Sequence, residues 1–169
     1  MFDEKRLIYL HGSESDSNSG KARQFREWFP GMLTPDFKGS FDERMSQLYS
    51  ILSDKLDWTL IGSSFGGLMG TVFTLDHPTQ VRKLILLAPA LMLDPLASFS
   101  GPSTGSGQRL KPVSVPTIVV HGTLDTVVPL EPVRGMVQKL FTNVRYYIVE
   151  DDHRLHKTIH ELDWNSILE

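Results

Sequence analysis

Five short apolar runs, closed by Gly, Pro, Asp, Ser or an acidic turn and mostly separated by segments of helical length, limit what this chain can fold into. They are residues 7–10 (LIYL), 58–61 (WTLI), 84–87 (LILL), 117–120 (TIVV) and 146–149 (YYIV). Strands that are apolar at successive positions rather than alternate ones are buried on both faces, which is the habit of parallel sheets. Helical periodicity is clearest over 41–55, where Phe41, Met45, Leu48, Ile51 and Leu52 recur at spacings of three and four. Further helices are expected over 20–28, 65–75, 129–140 and about 156–164, and a weaker sixth strand at 32–34. Right-handed crossovers then give an α/β fold, a three-layer α/β/α sandwich on a mostly parallel sheet of five to six strands. Ligands in such sheets bind at the carboxyl ends of the strands.

A chain of 169 residues suits one domain, expected here to span 1–169. There are no cysteines, so thiolate catalysis, disulfides and Cys-ligated zinc are excluded. No H-E-x-x-H motif occurs, and neither a metal nor a cofactor is expected. A net charge of -3 with scattered Lys and Arg argues against a nucleic-acid partner. The apolar run at 7–10 is too short for a signal peptide or a bilayer span, so a cytoplasmic protein without a membrane partner is expected. Only the stretch 94–111 breaks the alternation. Its Ser and Gly content predicts a mobile loop, within a short cap-position segment of about 90–111.

Polar residues gather where the apolar runs end. Gly62-Ser63-Ser64-Phe65-Gly66 matches G-x-S-x-G directly between a strand and a helix, the place for an exposed nucleophile on a strained turn. Ser64 is the candidate nucleophile, and Ser63 is expected to point away from the site. A glycine-rich turn holding a phosphate is the alternative for this segment, although neither G-x-G-x-x-G nor a G-K-[ST] ending is present. Asp125 follows the fourth run and could orient a histidine, or simply cap a turn; Asp94 is its rival. His153 follows the fifth run and is the candidate base, with His156 as competitor. His11-Gly12-Ser13 follows the first run, where the amides of Ser13 and Phe65 could face a developing oxyanion.

Through LIYLHGSESDSNSGKA, LIGSSFGG, LILLAPA, HGTLDTVVP and the DDH turn, the chain resembles the α/β-hydrolase superfamily, above all its small, nearly capless bacterial esterases. The resemblance covers essentially the whole chain. It implies that Ser64 is acylated, that Asp125 orients the base and that His153 deprotonates first the serine and then water. Two departures stand out: Glu150 and Asp151 lie where a glycine often precedes the histidine turn, and the first two strands of larger members are missing.

These readings together predict a cofactor-independent serine hydrolase of small carboxylic esters or thioesters, acting through an acyl-enzyme. His11, Gly12, Leu91, Met92 and Phe99 are the expected pocket residues. A peptidase or acyltransferase on the same triad, or a non-catalytic binding protein of this fold, remain the alternatives.

Overall fold

Each of the five apolar runs forms a strand, and all five pair in parallel: β1 (Leu7–Leu10), β2 (Trp58–Ser63), β3 (Val81–Leu87), β4 (Thr117–Gly122) and β5 (Val144–Val149). Their order in the sheet is the order in the chain. The computed structural model describes residues 2–93, 96 and 111–169. The expected loop of 94–111, apart from Leu96 and Lys111, lies outside the described residues, as do Asp94 and Phe99.

Strand side chains alternate between two cores, as the two-residue period requires. Ile8, Leu10, Leu60, Leu84, Leu86 and Val119 pack into one cluster, and Leu7, Tyr9, Ile61, Ile85, Leu87 and Val120 into the other. The first core is covered by α2 (Phe41–Leu52), α3 (Phe65–Asp76) and α4 (Leu130–Leu140), through residues such as Leu48, Met69 and Val137. The second is covered by α1 (Gly20–Trp28), α5 (Thr158–Glu161) and α6 (Trp164–Leu168), through Phe25, Ile159 and Trp164. Both faces of the sheet are thus buried by helices, which completes the three layers.

The sixth strand contracts to one residue: Leu33 pairs with Ile8 in parallel on the outer edge of β1. That single bridge matters for topology. The chain leaves β1 through α1 on one face, turns at Leu33, and returns through α2 on the other face to β2. With right-handed crossovers, connections that leave in opposite directions lie on opposite faces. The carboxyl ends of β1 and β2 therefore diverge into a crevice, the place where open α/β sheets bind ligands.

Helix ends follow local chemistry. A capping box of Ser40 and Glu43 opens α2, and Pro129 occupies the cap position of α4 rather than its first turn. The last predicted helix is two short ones, separated at Leu162-Asp163, where Asp163 caps α6. Among the described residues no helix is long and apolar enough to cross a membrane.

Candidate active site

The turn after β2 holds Ser64 at φ 52° and ψ -113°, a left-handed backbone that costs a non-glycine residue about 1–3 kcal/mol. Its peptide is held on both sides. Ser64 N–H donates to Leu87 O at 2.9 Å, and Ser64 O accepts from Gly67 N at 2.9 Å and Ala90 N at 3.0 Å. The glycines of the motif let α3 start this close to the strands. A Cβ on Gly66 would overlap the Leu10 carbonyl, and one on Gly62 would lie 2.7 Å from Gly67 Cα.

Asp125 stands in the turn after β4. Its Oδ1 accepts from the amides of Val127 at 2.9 Å and Val128 at 2.8 Å, which leaves Oδ2 to face His153. The side chain has no solvent exposure. Burial pushes its acidity down, yet the Val128 amide, the His153 bond and the Val127 amide together outweigh it and hold the carboxyl below its ordinary value. Below it, His121 places Nε2 2.9 Å from Val128 O and 3.3 Å from Asp125 Oδ2. A proton on Nε2 satisfies both acceptors, and His121 Nδ1 has no partner among the described residues.

His153 is brought over by the turn after β5, which is fastened to the turn after β4 by Thr123 N to Val149 O (2.8 Å) and Leu124 N to Asp151 O (3.1 Å). Asp151, one of the departures from the family pattern, clips this turn together. Its carboxylate accepts from Asp152 N, Lys157 N, Thr158 N and Thr158 Oγ1. His153 Nδ1 then lies 2.8 Å from Asp125 Oδ2, and Nε2 lies 3.1 Å from Ser64 Oγ. An ionised carboxylate only accepts, so the proton of His153 sits on Nδ1 and the Nε2 lone pair faces the serine hydroxyl. His156, the competing base, is 69% exposed at its side chain and leans toward Asp152 instead.

The loop after β1 is braced from beneath. Gly12 O accepts from His11 Nδ1 at 2.8 Å and from Arg44 Nη1 at 3.3 Å, and Ser13 O accepts from Arg44 Nη2 at 3.3 Å. Phe37 N–H donates to His11 Nε2 at 2.9 Å, which leaves that nitrogen without a proton and fixes the ring tautomer. Carbonyl and N–H point in opposite directions across a trans peptide. Tying Gly12 O toward His11 and Arg44 turns the Ser13 amide the other way, while Gly12 itself lies against Ser64. Arg44 also stacks over the Phe65 ring, 5.4 Å from its centroid, and so touches both segments that carry the candidate oxyanion donors.

A cavity of about 730 Å³ opens beside these groups, lined by Gly12, Ser13, Ser64 and His153 together with Tyr9 and Ile159. Ser63 lines it too, so the expectation that it points away is not met; its side chain meets Tyr9 at the cavity wall. Of the expected pocket residues, Gly12 lines the cavity and three lie elsewhere. His11 is buried beneath the loop, Leu91 is packed in the sheet core, and Met92 is exposed outside the lining. Strand-end position puts a residue near the site, but whether it faces the opening depends on which core its neighbours fill. Arg44 was not anticipated. The signal was present: three residues after Phe41 and four before Leu48, it sits on the apolar face of α2, where a cation needs partners.

The model of the family described as Serine hydrolase (FSH1) matches residues 4–158. The chain belongs to that family. Among solved structures, this serine hydrolase is similar to alpha/beta hydrolase domain-containing protein 10 from mouse, at 20% identity and a TM-score of 0.74, covering 95% of this chain and 87% of that one. A putative hydrolase from Agrobacterium vitis S4 is 21% identical with a TM-score of 0.72, covering 99% and 90%. The Pyrococcus furiosus esterase Pf2001 is 19% identical with a TM-score of 0.71, covering 97% and 80%. At these identities the likeness is one of fold. No curated protein matches the chain.

Proposed function

We propose that this serine hydrolase cleaves small carboxylic esters or thioesters through an acyl-enzyme on Ser64. The reading is carried by one chain of contacts, Asp125 Oδ2 to His153 Nδ1 at 2.8 Å and His153 Nε2 to Ser64 Oγ at 3.1 Å, which opens on the 730 Å³ cavity. Ser64 Oγ attacks the carbonyl carbon while its proton passes to His153 Nε2. The Ser13 and Phe65 amides receive the oxyanion, and Asp125 stabilises the imidazolium. His153 then gives the proton to the departing alkoxide or thiolate. Water loses a proton to the same nitrogen as it attacks the acyl carbon. That proton returns to Ser64 Oγ when the acid leaves.

Fluorophosphonate labelling tests the nucleophile, and p-nitrophenyl esters from acetyl to dodecanoyl test the substrate class. Wild type is expected to be labelled at Ser64 and to turn over short esters, with Ser64→Ala losing both and at least about a thousandfold in rate. The apolar lining is sparse, so kcat/KM should fall beyond hexanoyl; a buried methylene contributes only about 0.8 kcal/mol. Labelling of Ser64→Ala equal to wild type would overturn the assignment.

A further inference from the structure

The cavity beside Ser64 holds two cations that the hydrolytic steps do not use. Lys21 lies in the first turn of α1 and Arg154 follows His153, and both line the cavity. Among the described residues neither forms a salt bridge or donates a side-chain hydrogen bond.

Lys21 is poorly placed for its own helix. The positive end of the helix dipole is at that turn, and no acidic residue accompanies the lysine there. Burial holds its ammonium below the ordinary lysine value, and the charge of Arg154 acts in the same direction. Asp151 and Asp152 pull the other way more weakly. Asp151 takes four donors within its turn, Asp152 Oδ1 takes the amides of Arg154 and Leu155, and Asp152 Oδ2 stands 3.7 Å from His156 Nδ1. The cavity's own carboxylates, Glu14 and Asp16, sit on the exposed loop between β1 and α1, and Asp16 Oδ1 accepts the Asn18 amide. Tyr9, His156 and His160 complete the ionisable lining beside His153.

Two like charges from distant parts of the chain, facing one cavity with the reacting serine, repel each other until an anion lies between them. We propose that the substrate carries a carboxylate on its acyl or leaving-group portion, and that Lys21 and Arg154 receive it while Ser64 meets the ester carbonyl. This rests on the esterase reading above and names its substrate class.

Matched pairs of esters test it, monomethyl adipate against methyl hexanoate for the acyl side and p-acetoxybenzoate against phenyl acetate for the leaving group. Wild type at low ionic strength is expected to prefer the charged member of one pair by about tenfold or more in kcat/KM, and salt should erode the preference. Lys21→Gln and Arg154→Gln should each reduce the charged-to-neutral ratio by roughly tenfold, mostly through KM. Equal or inverted ratios in both pairs, with the neutral esters still hydrolysed, overturn this proposal alone. Failure to hydrolyse any of the four, with Ser64 unlabelled by fluorophosphonate, overturns the hydrolytic reading beneath it.

Discussion

Asp125→Asn isolates the tautomer of the base from the stability of the turn. The asparagine is isosteric, and its orientation is decided by the two amides on Oδ1, from Val127 at 2.9 Å and Val128 at 2.8 Å. Turning the NH2 toward those amides would orphan both donors, at about 1–3 kcal/mol each. The carbonyl oxygen therefore stays on the amides, and the NH2 takes the place of Oδ2, 2.8 Å from His153 Nδ1. There it donates to Nδ1 and drives the imidazole proton to Nε2. That nitrogen then faces Ser64 Oγ at 3.1 Å with a hydrogen instead of a lone pair. Loss of the correct tautomer costs about 10⁴-fold in kcat in triads of this kind. Ester turnover and urea unfolding read the two effects separately: kcat should fall by about that factor while the unfolding midpoint moves little. Asp125→Ala should lose comparable activity and also stability, because both turn amides are orphaned. Turnover of the asparagine variant within tenfold of wild type would refute the assignment of Asp125 as the orienting acid.

His153→Ala should cost as much activity as Ser64→Ala, because the triad acts as a unit, whereas His156→Ala should change kcat by less than about threefold; kinetics on a short p-nitrophenyl ester decide between them. Arg44→Met keeps the apolar stem against Phe65 but removes the donors to Gly12 and Ser13. It should lower kcat roughly tenfold to a hundredfold with KM little changed, since a misplaced oxyanion donor acts in the transition state; equal change in both would point to substrate binding instead. Burial resists ionisation of Asp151, but the bonds to Thr158, Asp152 and Lys157 prevail and hold it below its ordinary value of 3.8. The stability it contributes is therefore fully present above that value and is lost as pH falls through the lower folded value. Urea unfolding should find Asp151→Asn less stable than wild type at neutral pH, with the gap closing in strong acid; a gap constant over the whole range would argue against the clip.

How much of this molecule can be read without its coordinates depends on the range over which each feature is encoded. The five strands, α1 and α3, and the position of Ser64 at a strand-to-helix turn were legible, because apolar periodicity and a glycine-flanked serine are written within a few neighbouring residues. Asp125 and His153 were legible as candidates through their strand-end positions and chain order. The same positions set them above Asp94 and His156, and the family pattern agreed. Other features came only with the tertiary structure. The sixth strand shrank to Leu33, since an edge with a single bridge leaves little periodic trace. Pocket residues were mostly misjudged, because burial of His11 and Leu91 depends on which layer covers them. Arg44 stands 32 residues from the Gly12 carbonyl it braces, and the serine and base meet across 89 residues. Lys21 and Arg154 meet on one cavity from opposite ends of the chain. Local sequence determines which segments are strands and where polar residues leave them, because those choices rest on neighbouring side chains and backbone geometry. Which of those residues share a site is decided by sheet order and crossover direction, and these follow from burying both faces of the whole sheet at once.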